Sequence, residues 1–347
     1  MNGRRFYELD LLRFLAAFAV VLYHFTSPER YGFAYLAEFT KFGYLGVPVF
    51  FIISGFVIAL SAEGRSAYEF AVSRVARLYP GLWAAILFTV VTVGFLTGRS
   101  FGGGQILANA TLLNDYIGLA DIDGVYWTLH TELKFYGCIF VLVALGVFPY
   151  IRVWLSAWLA LSILHLLTGQ PGIMGWFISP AWSPFFILGV AMYHMHVHGP
   201  GRYNVSVLVI ATVLSSIRCV MVADSFIINP ALFESVLTAF IILTFVAFML
   251  LMAVGRIEFS GQRWMVTLGA LTYPLYLIHN AAGKALIDVL TLSVSIETAV
   301  VLTTGGALLV AYGIYRVVER PFGRSIRAAG KALPGLIFGR RFGASAD

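Results

Sequence analysis

The chain has 347 residues, of which 60% are hydrophobic and only 12% are charged. Ordinary soluble domains carry about 45–50% apolar and about 25% charged residues. The mean hydropathy of +0.86 leaves too few polar side chains to cover a surface exposed to water. The composition therefore excludes a soluble globular enzyme, a disordered chain and a secreted disulfide scaffold. It predicts an all-α polytopic membrane protein.

Apolar runs separated by charges and by Gly/Pro clusters predict about ten transmembrane helices, because one crossing takes about 20 residues. The predicted spans are residues 9–27, 44–61, 77–97, 126–148, 152–169, 181–198, 204–222, 233–254, 266–288 and 297–318. Cys138 and Cys219 both lie inside such runs, which indicates buried thiols. We therefore expect neither a disulfide nor a metal site.

The basic residues predict the orientation of the chain, because Lys and Arg are enriched in cytoplasmic loops. With the N-terminus inside, 17 of the 23 Lys and Arg side chains fall on one face and 5 on the other, with Lys134 within a span. This bias predicts cytoplasmic N- and C-termini in a plasma or inner membrane. It also accounts for the net charge of +6 without a nucleic-acid partner.

We divide the chain into a transmembrane domain, residues 1–322, and a basic cytoplasmic tail, residues 323–347. The tail is expected to lie along the anionic inner leaflet, and no chemistry is assigned to it. The longest outer loop, residues 98–125, contains three consecutive glycines and three aspartates. Its length is typical either of a lid over a binding site or of a flexible connector.

The first span carries three ionisable residues, Asp10, Arg13 and His24. Each costs a few kcal/mol in a bilayer, so such groups need partners or a water-filled cavity. Arg13 and His24 are eleven residues apart and therefore share a helix face about 16 Å apart along the axis. Imidazole is suited to proton transfer near neutral pH. The alternative interpretation is an anchoring Arg plus a His that hydrogen-bonds between helices.

Arg74 and Arg77 lie at the inner start of the third span, three residues apart. This spacing directs both guanidinium groups the same way, which suits a polyphosphate or a carboxylate. Positive-inside anchoring also predicts arginines at this position, so the pair alone does not establish a binding site.

Polar and aromatic residues also cluster in the predicted outer half of the fourth and ninth spans. An interfacial aromatic belt explains Tyr126 and Trp127. It does not explain the charged residues Glu132 and Lys134, which lie further into the span. The remaining candidate residues of this outer pocket are His130, Glu132, His279 and Asn280. For His279 a structural hydrogen bond at a helix crossing is an equally good interpretation.

Taken together, these segments resemble the acyltransferase-3 family of integral membrane acyltransferases. Segment 9–24 has the family's basic residue, ten intervening residues and histidine, and segment 43–56 resembles its second span. Arg74-Val-Ala-Arg77 matches its paired arginines, and residues 127–132 resemble its Trp-Ser-Leu-x-x-Glu segment. Residues 273–279 and 319–322 also fit. The chain departs from the pattern at Thr128, where Ser is commoner, and at His130.

The resemblance implies an O-acyltransferase that uses cytoplasmic acyl-CoA as co-substrate, with no bound cofactor. Family members transfer acyl groups, mostly acetyl, to sugars of polysaccharides, lipopolysaccharides, peptidoglycan, nodulation factors and some antibiotics. We therefore expect O-acetylation of a glycan or glycolipid acceptor. Arg74 and Arg77 would bind the CoA phosphates, and His24 would act as general base or acyl carrier. Asp10 and Arg13 would position the donor or the base, and Glu132 would orient an imidazole or the acceptor.

A second hypothesis uses the same buried charges differently. A proton-coupled transporter or flippase of an amphiphilic glycan or lipid precursor also places ionisable groups inside the bilayer. No internal repeat is visible in the sequence, which counts against a common transporter architecture. For the acyltransferase, by contrast, a polar path is expected to run from the paired arginines past His24 to Glu132 and His279, as a relay that carries the acyl group across the membrane.

Overall fold

The computed structural model describes residues 6–31, 34–169, 172, 174–259 and 261–338, and this part of the chain is helical without β-strands. The predicted all-helical class is thereby confirmed. The helices are α1 (Tyr7–Phe25), α2 (Pro28–Tyr31), α3 (Ala34–Thr40), α4 (Gly46–Ala62), α5 (Ala67–Thr97), α6 (Gly103–Thr111), α7 (Trp127–Ala144), α8 (Ile151–Thr168), α9 (Met174–Phe177), α10 (Ser183–His198), α11 (Arg202–Val222), α12 (Leu232–Ala253), α13 (Arg263–Ile278), α14 (Ala281–Leu290), α15 (Ile296–Ile314) and α16 (Arg320–Phe338). A π-helical turn, Tyr315–Glu319, joins the last two.

Six helical segments of the described chain are long and apolar enough to cross a membrane. They are Tyr35–Ala62, Ala67–Thr97, Ile151–Thr168, Arg202–Ser225, Leu232–Ala253 and Ile296–Leu333. The predicted spans 9–27, 126–148, 181–198 and 266–288 fall instead on α1, α7, α10 and α13, which have 16 to 19 residues. The count of ten crossings and the cytoplasmic termini thus remain predictions.

The core of the bundle is built around α4, which packs between α1 and α10. In the candidate span that contains α4, 78% of the apolar 18-residue stretch is buried. In the other five candidate spans the buried share is 28–39%. Gly55 and Gly189 lie where α4 crosses α10, and a side chain at either position would collide with the backbone of the partner helix. Small residues at such a crossing allow two membrane helices to pack closely.

Helix α1 packs on its other side against α13, and α13 in turn contacts α5 and α15. The five helices α1, α4, α5, α7 and α13 enclose the polar interior described below. Pro80 in α5 and Pro274 in α13 interrupt the backbone hydrogen bonding of both helices. Gly323 of α16 lies against the carbonyl oxygen of Ala76, four residues before Pro80, so α16 packs closely along α5.

The segment 98–125 is folded, and it is therefore not the flexible connector that one interpretation of its sequence suggested. It contains α6 and two short 3₁₀ turns. The buried Asn109 side chain donates to the Ala120 carbonyl at 3.1 Å and accepts from the Ile122 amide at 3.0 Å. Trp83 of α5 donates to the Ala110 carbonyl at 2.9 Å. These contacts hold the segment against one end of the bundle.

Candidate active site

An arginine-lined cavity of about 320 Å³ opens between α1, α4, α5, α7 and α13. We call it the arginine cavity. Its charged and polar lining residues are Arg13, Ser54, Ser73, Arg74, Arg77, Thr128, Glu132, Tyr136, Thr272, Tyr273, Tyr276 and Arg327. Its wall thus carries four guanidinium groups, against the lining carboxylate of Glu132 and the Glu319 carboxylate that pairs with Arg77. Such an excess of positive charge favours a ligand that carries several negative charges.

The two sequence-predicted arginines of α5 are held by aromatic rings and by hydroxyl or carboxylate partners. The Arg74 guanidinium lies 5.7 Å from the centre of the Tyr136 ring and donates to Ser61 Oγ at 3.1 Å. Arg77 lies 5.3 Å from the centre of the Tyr273 ring and pairs with the buried Glu319 at 3.4 Å. These contacts fix the two fork-shaped donors in the cavity wall, which suits bidentate binding of phosphate.

Glu132 lies with the arginines. Its Oε1 accepts hydrogen bonds from Ser54 Oγ and from the Tyr136 hydroxyl, both at 2.7 Å. The Arg13 guanidinium experiences the opposite charges of Asp10 and Glu132, although Asp10 itself does not line the cavity. The expected order of the polar path is therefore wrong, since Glu132 comes before His24 and does not face an imidazole.

A second cavity of about 240 Å³ surrounds His24, and we call it the histidine cavity. It is lined by Val20, Tyr23, His24, Tyr44, Val47, Gly124, Val125, Trp127, Phe226, Tyr276, Asn280 and Lys284. Val47 and Tyr276 line both the arginine cavity and the histidine cavity. The two cavities are therefore neighbours, separated by one aliphatic and one phenolic side chain.

The hydrogen bonds of two histidines determine which nitrogen of His24 carries a proton. His279 is fully buried, and its Nδ1 lies 2.7 Å from the Tyr276 carbonyl oxygen, which can only accept. The Nδ1 of His279 therefore carries the hydrogen, and its Nε2 is an acceptor in the neutral ring. His24 Nδ1 lies 2.9 Å from that Nε2 and must donate to it. Neutral His24 consequently keeps its Nε2 lone pair free to take a proton.

Asn280 and Lys284 contribute polar groups to the same cavity. The Asn280 amide donates to Asp123 Oδ1 at 2.7 Å, and the Ala281 amide donates to Asp123 Oδ2 at 2.8 Å. Burial raises the pKa of the Asp123 carboxyl, against the opposing effect of these hydrogen bonds. With its nitrogen held in this way, Asn280 has a buried Oδ1 without a hydrogen-bond partner among the described residues.

Two residues expected in an outer pocket have structural positions instead. His130 lies 3.1 Å from the Leu112 carbonyl and 2.9 Å from Asp121 Oδ1, so it fastens the segment 98–125 to α7. Tyr126 is fully buried and lines neither cavity. The helical period explains the difference, because Thr128 and Glu132 share the face of α7 that lines the arginine cavity, whereas His130 faces away. Trp127 and Asn280 line the histidine cavity, and the buried His279 lies behind His24, to which it is hydrogen-bonded.

Sequence reasoning missed several residues of the site. Arg327 was assigned to a basic tail without chemistry, yet α16 packs against α5 and this side chain lines the arginine cavity. Tyr273 was noted only as part of a motif. The Tyr68 hydroxyl donates to the Gly330 carbonyl at 3.0 Å and helps to hold α16 in place. Basic residues recur every three or four positions from Arg320 to Lys331. This helical spacing was the one feature of the sequence that could have predicted a basic helix face with Arg327 on it.

These features define a helical membrane protein in which an arginine-lined cavity adjoins a pair of hydrogen-bonded histidines. Residues 6–316 match the family model described as an acyltransferase domain, the acyltransferase-3 family. Because this match spans most of the chain, the protein belongs to that family.

Two relatives with similar sequences carry names that fit this assignment. Acyltransferase MdmB of Streptomyces mycarofaciens is 30% identical over 143 residues, which are 37% of this chain and 37% of that protein. Nodulation protein 10 of Rhizobium leguminosarum bv. viciae is 30% identical over 153 residues, which are 37% of this chain and 42% of that protein. The chain thus spans less than half the length of either relative. No solved structure shows significant similarity to it.

The protonation of the histidine pair is directly measurable. In detergent micelles, ¹⁵N spectra of histidine-labelled protein should show His24 with a protonated Nδ1 and a bare Nε2. His279→Phe removes the acceptor, so His24 should then populate the opposite tautomer as well. His165→Phe is the matched control and should leave the His24 signals unchanged. A protonated Nε2 with a bare Nδ1 in the unmodified protein would contradict the assignment.

Proposed function

We propose that the protein is an O-acyltransferase that moves an acyl group, acetyl by family resemblance, from acyl-CoA to a hydroxyl of a sugar. The observation that carries the proposal is the free Nε2 of His24, in a cavity that adjoins one lined by four arginines. The arginine cavity supports the donor side of the proposal, and the histidine cavity supports the chemical step.

The donor fits the charge of the arginine cavity. Acyl-CoA carries several phosphate charges at one end and a neutral thioester at the end of a long flexible arm. Arg74, Arg77 and Arg327 would bind the phosphates, and Arg13 would extend the positive surface along α1. The arm would then pass between Val47 and Tyr276 and place the thioester carbonyl beside His24.

The reaction follows from the single basic nitrogen. As the acceptor hydroxyl oxygen attacks the thioester carbonyl carbon, His24 Nε2 takes the hydroxyl proton. The C–S bond breaks, and the proton passes from His24 to the departing thiolate, which leaves as CoA. If His24 acts as nucleophile, its Nε2 attacks the thioester carbonyl carbon and the C–S bond breaks to release the CoA thiolate. The acceptor hydroxyl then attacks the acylated imidazole, its proton passes to the thiolate, and the N–acyl bond breaks to restore neutral His24. His279 positions the ring in either case.

Positive charge near the reacting carbonyl supports the same step. Lys284 lines the histidine cavity, and its charge acts on both His24 and His279. An ammonium group at this position would stabilise the oxyanion that forms when the hydroxyl attacks. A proton-coupled transporter or flippase, the second hypothesis from the sequence, gains no support, since the matching family model is an acyltransferase domain.

His24→Ala should reduce acyl transfer from acetyl-CoA by about 10²-fold or more, since general acid–base catalysis typically contributes about 10²–10⁴-fold. The bundle should remain folded, because the substitution removes an imidazole without adding bulk. Radiolabelled transfer by purified protein and thermal unfolding in detergent test both expectations. His165→Ala, which alters a histidine outside both cavities, should retain activity. Near-normal turnover by folded His24→Ala protein would disprove the assignment.

Replacing Arg74 and Arg77 together with Ala should raise the KM for acetyl-CoA more than that for the acceptor. Lys at both positions should restore donor binding only in part, because an ammonium group lacks the bidentate fork. Arg65→Ala is the matched control, since Arg65 precedes α5 and lies outside the cavity.

Cysteine-accessibility mapping separates donor binding from membrane anchoring as the role of these arginines. The double variant should insert with the same accessibility pattern as the unmodified protein. Unchanged donor affinity together with wrong insertion would show that the pair serves as a topological anchor.

A further inference from the structure

A third cavity lies beyond the histidine cavity, and it is the largest of the three at about 590 Å³. We call it the vestibule. It is formed by the end of α1, by α3 with the start of the following turn, and by the loop between α11 and α12. Tyr23 and Phe226 line both the vestibule and the histidine cavity. The three cavities therefore follow one another along α1, with His24 in the middle one.

The vestibule is rich in hydroxyl and carboxylate groups. Its lining includes the hydroxyls of Thr26, Thr40 and Ser225 and the carboxylates of Glu38, Asp224 and Glu234. The Tyr23 and Phe226 rings stand at its boundary with the histidine cavity. Sugar hydroxyls donate to carboxylates and exchange hydrogen bonds with hydroxyls, while aromatic rings pack against the apolar faces of sugar rings.

The charges of the vestibule disfavour an anionic ligand. Lys41 forms ion pairs with both Glu38 and Glu234, so its charge is already matched within the wall. Asp224 then adds a further carboxylate. A phosphate or another anion would meet three carboxylates and one paired ammonium group. The polar lining equally disfavours an acyl chain, which requires an apolar wall.

The boundary between the vestibule and the histidine cavity is held in place by specific contacts. The Tyr23 hydroxyl donates to the Phe226 carbonyl at 2.8 Å. The Phe226 ring stacks on Tyr44 with centroids 4.6 Å apart and planes at 7°. The centroids of the Tyr23 and His24 rings are 5.0 Å apart, so a sugar ring seated against Tyr23 and Phe226 lies close to the imidazole.

We propose that the vestibule binds the acceptor as an uncharged glycosyl unit and directs one of its hydroxyls to His24 from the side opposite the donor. The proposal rests on the acyl-transfer function proposed above. It assigns donor and acceptor to different cavities, so that substitutions in the vestibule affect acceptor binding alone.

The test uses purified protein, acetyl-CoA and four probe acceptors, the p-nitrophenyl glycosides of glucose, galactose, N-acetylglucosamine and rhamnose. Among the glycosides that the unmodified protein acylates, Ser225→Trp should raise the KM by about tenfold or more. The reason is that the indole takes up volume that the glycoside needs. Asp224→Asn, which leaves the shape of the cavity unchanged, should raise the same KM severalfold. This substitution removes a charged group that accepts hydrogen bonds from the sugar hydroxyls. The Kd for acetyl-CoA, measured by calorimetry, should stay unchanged in both variants.

Ser293→Trp is the matched control, because Ser293 lies in the exposed turn after α14 and outside all three cavities. It should behave like the unmodified protein. An unchanged glycoside KM in both Ser225→Trp and Asp224→Asn would overturn the vestibule assignment. Unmodified protein that binds acetyl-CoA but acylates none of the four glycosides would also overturn it. Unmodified protein that binds no acetyl-CoA would instead disprove the proposed function.

Discussion

The hydrogen bond from His279 Nδ1 to the Tyr276 carbonyl is the contact on which the chemistry of the site depends. A carbonyl oxygen only accepts, so the buried ring of His279 has one possible neutral tautomer. That tautomer makes His24 a donor through Nδ1 and leaves its Nε2 lone pair available. The backbone carbonyl of Tyr276 thus determines, through His279, which nitrogen of His24 can take a proton. Tyr276 lies in α13, the helix that Pro274 interrupts.

The charge of the surroundings changes along α1, from positive through neutral to negative. Positive charge surrounds Arg13, a neutral pair of imidazoles follows about 16 Å further along the helix, and carboxylates lie beyond them. In the scheme proposed above, the polyanionic end of the donor, the neutral acyl group and the hydroxyl-rich acceptor would each meet a compatible wall. Tyr276 lines the boundary of the histidine cavity with the arginine cavity, and Tyr23 lines its boundary with the vestibule.

The local features of the site could be predicted from the sequence, because they depend on helical period alone. The spacing of Arg13 and His24 and the shared face of Thr128 and Glu132 are both present in the structure. Contacts between distant segments could not be predicted in this way. The expected polar path did place His24 near His279, and the two rings are hydrogen-bonded. The position of Arg327 was not expected, because it depends on the packing of α16 against α5. The vestibule likewise depends on a contact between distant segments, the ion pair of Lys41 with Glu234.

The predicted number of spans illustrates the same limit. Helices α1 and α7 carry charged residues because they line the arginine cavity, and these charges lower the hydropathy by which a span is recognised. Helix α10 has only 16 residues and is almost entirely enclosed by its neighbours. Length and composition therefore identify α4 and α5 as candidate spans, but they do not identify α1, α7 and α13, which also line the arginine cavity.

In the proposed reaction, the acyl group would cross from the arginine cavity to an acceptor in the vestibule, along helix α1. Proteoliposomes with the protein in a single orientation, verified by cysteine labelling, test this claim most directly. A p-nitrophenyl glycoside is trapped in the lumen, and acetyl-CoA is added outside, on the side of Arg74 and Arg77. We expect acetylation of the trapped glycoside while CoA stays outside. Acetylation only of glycoside added on the same side as acetyl-CoA would contradict it.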